Sequence, residues 1–174
     1  VKNQKNPNQV RWIQSSEPGG IPALAFARTE SDAVLLPDAS IMVLGGHDDF
    51  SGVRNPELYW NGSWCVLPAE DSPRAYHRTA ALLPKGNVIS AGGNLGSPHV
   101  PCAGRTWDYQ VYDPWYISAP NRPTWVTWPT ELHYGQPALV LHGPLPPGVV
   151  VDKVVLIAPA SVTHHTDMHQ RYVS

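Results

Sequence analysis

Charge is scarce in this chain. Only 15% of its 174 residues are Asp, Glu, Lys or Arg, and the formal net charge is −2. No sign accumulates, so there is no electrostatic footprint for nucleic acid or an anionic membrane. Long apolar runs are missing too; none approaches the roughly 18 residues that mark a transmembrane helix. Phe, Met and Cys occur 2 times each. Whether Cys65 and Cys102 form a disulfide is open at this level. The opening VKNQKNPNQVRWIQ has neither an initiator Met nor the apolar segment of a secretory leader. It reads as the interior of a longer chain.

What is abundant is turn chemistry. Pro 19 and Gly 14 are spread between short apolar runs, with Trp 7 and Tyr 7 as the dominant aromatics. This pattern predicts a turn-rich, all-β protein. Within it AVLLPDASIMVLGG (residues 33–46) lies over AALLPKGNVISAGG (residues 80–93). The Leu-Leu-Pro and Gly-Gly steps both give an offset of 47 (82 − 35 and 92 − 45). A period of about 50 residues, each unit a four-stranded sheet, is the signature of a kelch-type propeller blade. AVLL and SIMVL have the length of buried strands, and PDAS and PKGN supply the turns between them. Tyr59 and Tyr112 fall on third strands, Trp64 on a fourth, and Trp12 in the same place of a preceding blade.

Propellers have about four to eight blades. Residues 1–116 are therefore expected to be the last blades of an incomplete propeller, completed by the rest of a longer chain or by a companion fragment. After the Pro-rich DPWYISAPNRPTW the repeat does not return. Residues 117–174 read as about four strands of a truncated immunoglobulin-like β-sandwich. VDKVVLIA and QRYVS are strands in this reading, with PASVTHHTDMH between them as a loop or irregular edge.

The repeat register isolates two residues that packing does not explain. Tyr76 and His77 fall opposite Thr29 and Glu30 at the offset of 47 (76 − 29). The same slot accepts Thr-Glu in one unit, so its fold does not demand Tyr-His. A second candidate cluster is THHTDMHQR, with His164, His165 and His169. Imidazole and phenolate donors together suit Cu(II) among the transition metals. Adjacent strand residues point to opposite faces, however, so Tyr76 and His77 could share a metal only at a strand end or bulge. The same limit applies to His164 and His165. A surface histidine cluster without metal remains the plain alternative.

Three stretches together resemble the C-terminal part of the galactose oxidase and glyoxal oxidase family of copper-radical oxidases. SPRAYHRTAALLPKGNVISAGGN is similar to that family's Tyr-His pair opening a kelch blade. VYDPWYISAPNRP is similar to its exit into an immunoglobulin-like domain. VVLIAPASVTHHTDMHQRYV is similar to its late Thr-His motif followed by Asp-Met-x-Gln-Arg-Tyr. The resemblance covers most of residues 24–174. It implies a mononuclear copper held by Tyr76, His77 and His164, with Tyr76 as the phenol that accepts the substrate proton. His164 is favoured over His165 because Thr163-His164 and the six-residue step to Gln170 match the family pattern; His165 then turns to the rim or solvent.

The family's radical cofactor, a tyrosine joined to a cysteine by a thioether, has no matching segment here; neither Tyr59 nor Cys65 fits its order. The resemblance further implies oxidation of a primary alcohol, aldehyde or carbohydrate by O₂ with release of H₂O₂. It implies secretion, and a fragment that is inert by itself. The alternative is a kelch-type binding or structural protein that kept the fold and lost the redox centre.

Overall fold

Short β-branched and apolar runs punctuated by Pro and Gly fold locally into hairpins, because the turn residues preset the reversals. The computed structural model describes residues 13–48, 51–94, 106–127, 129–137, 141–164 and 166–174. In it β1 (Asp32–Leu35), β2 (Ile41–Leu44), β3 (Glu57–Trp60) and β4 (Ser63–Val66) form a four-stranded antiparallel meander. A second meander contains β5 (Tyr76–Leu82), β6 (Val88–Asn94) and β7 (Tyr109–Tyr112). No α-helix occurs among the described residues, so the all-β expectation is borne out. No helix among them is long and apolar enough to cross a membrane.

The two sheets repeat each other residue by residue. Ala33 opposite Val43 corresponds to Ala80 opposite Ser90, and Leu35 opposite Ile41 to Leu82 opposite Val88. The tyrosines take matching places: Ile41 faces Tyr59 as Val88 faces Tyr112. The turns close alike, Leu36 N–H to Ser40 O and Leu83 N–H to Asn87 O. Even the left-handed residues coincide: Ala39 with Gly86 (φ 67 and 93), Gly45 with Gly92 (62 and 66), Gly46 with Gly93 (87 and 102).

The repeat ends at the fourth strand. Trp64 sits on β4 as expected, its ring 5.1 Å from that of Tyr59. After Tyr112, Pro114 removes a ladder donor, and the chain turns through a 3-10 segment, Trp115–Ile117. Among the described residues the second sheet therefore has three strands. Trp12, Cys102 and His165 lie outside the described residues.

The alternation of each strand decides where the core sits. Val34, Met42, Leu44, Ala80 and Val88 point from β1, β2, β5 and β6 into one cluster between the sheets, joined by Leu36. Burial of side chains such as Val and Leu contributes roughly 1.5–3 kcal/mol each. Leu58, Leu67, Leu82 and Tyr112 close its edges.

The C-terminal segment differs from the expected four strands. Its described residues contain six short ones: β8 (Trp125–Thr127), β9 (Leu141–His142), β10 (Leu156–Ala158), β11 (Val162–Thr163), β12 (Thr166–Asp167) and β13 (Arg171–Val173). They pair as β8–β9, β10–β13 and β11–β12. The stretch expected as an irregular loop thus holds a tight hairpin, which Thr163 and Thr166 close as a β-branched cross-strand pair. This segment is pinned to the edge of the first sheet. The Gln170 amide mimics a strand: its Oε1 accepts from Leu35 N–H at 2.9 Å, and its Nε2 donates to Leu35 O at 3.2 Å.

Candidate metal centre

Tyr76 opens β5 opposite Asn94, in the slot where Thr29 bridges His47 in the first repeat. The next residue breaks the alternation. His77 has φ 59, matching φ 55 at Glu30. A left-handed L-residue costs roughly 1–2 kcal/mol. It also swings the imidazole to the side of the preceding phenol. The two ring centroids lie 3.9 Å apart with planes 30° from parallel. The irregularity that adjacent ligands require is therefore present. Gly92 and Gly93 on β6 make room opposite it; a Cβ on Gly93 would stand 3.2 Å from Arg74 Cα.

His164 arrives from the far end of the chain. Pairing of Thr163 with Thr166 leaves a two-residue turn, and His164 occupies its first position with φ 50. Such turns favour Asn or Gly, so an imidazole there runs against local preference. Thr163 Oγ1 lies 2.8 Å from His164 Nδ1, an anchor that engages one ring nitrogen and leaves Nε2 as the other donor atom. The imidazole centroid is 6.3 Å from that of Tyr76 and 6.1 Å from that of His77. The structure thus brings Tyr76, His77 and His164 together across nearly ninety residues of sequence. Tyr76 is half-buried, and both imidazoles are exposed.

Asp167 braces the hairpin. Its Oδ1 accepts N–H bonds from His169 (2.9 Å), Gln170 (3.0 Å) and Ser161 (3.2 Å). Partial burial works against its ionised form, but these bonds, with the nearby His169, outweigh it and hold the carboxyl below its ordinary range.

The sister slot is wired differently. There His47, nearly buried, lies 3.2 Å from Glu30 Oε2 and 3.3 Å from Thr29 Oγ1. One repeat closes its opening with a Glu–His pair, and the other carries two rings side by side.

Sequence reasoning missed the arginines around both slots. Arg28 donates to Gly45 O (3.1 Å), Asn55 O (2.9 Å) and Glu57 (2.7 Å). Arg74 repeats this wiring, donating to Gly92 O and Asp108 O (both 3.0 Å). It also reaches the carboxylates of Glu70 and Asp108. Arg28 and Arg74 stand 46 residues apart (74 − 28), one off the repeat offset, and that near-coincidence was the available signal.

Among the described residues, no three His, Cys, Asp or Glu side chains group to hold a metal ion. The cluster at β5 differs in offering a phenol as its third donor. A cavity of about 510 Å³ lies instead at the opposite end of β5, lined by Leu82, Pro84, Arg122 and Ile157 among others. Its charged lining is Lys85 and Arg122, with no carboxylate, imidazole or thiol, so geometry favours the ring cluster as the chemical site. Cys65 is a free, exposed thiol on β4.

No known family profile matches the chain. Two galactose oxidases of Gibberella zeae are each 31% identical to it over 131 residues, covering 63% of this chain and 18% of theirs. The chain thus spans under a fifth of the length of these curated relatives. A copper-bound fungal alcohol oxidase of the AA5 family shares its fold, with a TM-score of 0.69 over 88% of this chain and 34% of that one, at 21% identity. The resemblance to the galactose oxidase family read from the sequence is borne out.

Proposed function

We propose that this chain is the C-terminal portion of a copper-radical oxidase that oxidises primary alcohols or aldehydes with O₂ and releases H₂O₂. One observation carries the reading: Tyr76, His77 and His164, from two distant segments, have ring centroids within 3.9–6.3 Å of one another. Both imidazoles sit in left-handed backbone. Strain of that kind persists where the surroundings enforce it, and it gathers at functional sites. The donor set fits copper: two imidazole nitrogens and a phenolate oxygen.

Tyr76, His77 and His164 would hold the metal, with Thr163 fixing the orientation of the His164 ring. Bound copper, with the family's Tyr–Cys radical supplied outside this chain, would contribute the one-electron chemistry. The part left to this chain is proton transfer. A phenolate at Tyr76 takes the proton of the substrate hydroxyl at its oxygen, as a positioned base. The hairpin at His164, tied to Leu35 through Gln170, keeps the third donor over the first two.

In this reading the two meanders are propeller blades within residues 1–116, and residues 117–174 are part of an immunoglobulin-like domain. The remaining blades come from the rest of the protein, which is secreted. Substrates are small alcohols, aldehydes or carbohydrates. The test is copper stoichiometry and peroxide release in the full-length protein. Peroxide from primary alcohols or aldehydes, abolished in His77→Ala and His164→Ala, is the expected result. A copper-loaded full-length sample that yields none would reject the oxidase in favour of a binding protein of the same fold.

A further inference from the structure

We propose that Arg78, paired with Asp32, is a positioning residue for the Tyr76–His77 donor pair; this inference rests on the copper reading above. Arg78 follows His77 directly and is 4% exposed, and Asp32 on β1 is 2% exposed. Arg78 Nε lies 3.7 Å from Asp32 Oδ2. Its Nη1 donates to Leu44 O on the first sheet, and its Nη2 donates to Ser90 Oγ at 3.2 Å on the second. Ser90 donates on to Glu70 Oε2 at 2.8 Å, the oxygen that also accepts from Arg74 Nε at 3.0 Å. A continuous polar chain therefore runs between the two sheets and grips the backbone on both sides of Tyr76 and His77. Gly46 N–H completes the grip with a 2.8 Å bond to Arg74 O.

The repeat shows that packing alone does not require this pair. At the offset of 47, Arg78 falls on Ser31 and Asp32 on Thr79 (78 − 31 and 79 − 32). A buried ion pair is weak evidence for stability, because desolvation opposes the attraction. Burial does disfavour the Arg78 cation, which the charges of Asp32 and Glu70 support. The hydrogen bonds of Arg78 to Leu44 O and Ser90 Oγ, and of Ser90 to Glu70, do hold these groups in one arrangement. The left-handed backbone recurs at Glu30 without such a pair; what needs fixing here is the rings, since Tyr76 and His77 are useful to a metal together only while both face the same way. Gly45 belongs to the same device, since a Cβ there would run into the Arg78 guanidinium.

The test uses the full-length protein with Arg78→Met and Asp32→Asn. Cu(II) affinity is read by chelator competition, the ligand field by electron paramagnetic resonance, and apo-protein stability by urea unfolding. Loss of a partner that orients a ligand typically costs 10–100-fold in metal affinity. Both variants are expected to weaken Cu(II) by about that factor and to shift the spectrum, and Arg78→Lys to recover only part of it. Arg28→Lys, in the sister wiring, is expected to lower stability and leave the spectrum unchanged. Folded variants at Arg78 and Asp32 with wild-type affinity and spectrum would overturn the inference, whatever their stability. Should Arg78→Met fail to fold, the near-isosteric Asp32→Asn decides on the same readout. A wild-type protein that binds no copper, or a His77→Ala with the wild-type spectrum, overturns the copper reading itself and this inference with it.

Discussion

At the opening of β1 the chain passes through Thr29 and Glu30, and at the opening of β5 through Tyr76 and His77. The backbone is the same: φ is 55 at Glu30 and 59 at His77, and each opening is faced by a left-handed Gly pair. Each is flanked by an arginine that donates to the first Gly of that pair, Arg28 to Gly45 O and Arg74 to Gly92 O. The chemistry is different. Glu30 turns to His47 at 3.2 Å, whereas Tyr76 and His77 stand ring by ring beneath His164. The repeat supplies a left-handed strand opening as a scaffold. The second copy uses it to bring two adjacent rings to one side, beside a third ring from a distant segment.

The largest effect should come from breaking what the two openings share. Arg28→Met leaves the buried Glu57 without its cation, and Arg74→Met does the same to Glu70. Breaking a buried pair from one side costs about 3–5 kcal/mol, so both variants should lose comparable stability in urea unfolding. A large loss at one and none at the other would end the equivalence of the two wirings.

Converting the second opening into the first is the sharper test. Tyr76→Thr with His77→Glu places the sister residues on the same backbone. Stability should change by about 1 kcal/mol or less, since the same φ already carries a Glu at residue 30. Cu(II) affinity should fall by more than the roughly 100-fold that losing a ligand's orienting partner costs. Titration with a chelator measures the second quantity and urea the first.

Glycines separate the two openings more finely. Gly45 and Gly92 have nearly equal φ, 62 and 66, but a Cβ on Gly45 would meet Arg78 and the Arg74 carbonyl, whereas one on Gly92 meets only His77 O at 3.6 Å. Gly92→Ala should cost the left-handed strain alone, roughly 1–2 kcal/mol. Gly45→Ala should add overpacking, about 1–3 kcal/mol more. Equal losses would contradict the closer packing at Gly45.

The smallest expected effect lies in the hairpin that carries His164 to the second opening. The lowered pKa of Asp167 means that its contribution is fully present above the ordinary carboxylate range. It is lost as the pH falls through the lowered value. Asp167→Asn should therefore be less stable than wild type at neutral pH, with the gap closing in acid. A gap independent of pH would show that the carboxylate charge is not what braces the turn.

Much of this was legible in the chain itself. Leu-Leu-Pro and Gly-Gly at a common offset fixed the repeat, because strand length and turn chemistry are local properties. Tyr76 and His77 stood out because the sister slot holds Thr29 and Glu30. How they share a side is not legible, since the left-handed φ of His77 belongs to the strand opening common to both repeats and runs against the residue's own preference. The hairpin at His164 is not announced either: the sequence suggests only a loop or irregular edge there, because an imidazole is not the usual chemistry of a two-residue turn. Arg78–Asp32 and the Gln170–Leu35 amide pairing join residues 46 and 135 positions apart (78 − 32 and 170 − 35). No local pattern announces such contacts. The radical partner could not be read at all, for Cys65 lies on an outer strand in an order the family pattern does not use.

The central claim is that Tyr76, His77 and His164 make one copper site. Anomalous diffraction at the copper edge, from crystals of the copper-loaded full-length protein, tests it most directly. The account predicts a single strong peak bounded by the Tyr76 phenol oxygen and by one ring nitrogen each of His77 and His164. A peak that touches only one of the three, or copper bound elsewhere with this cluster empty, would contradict it.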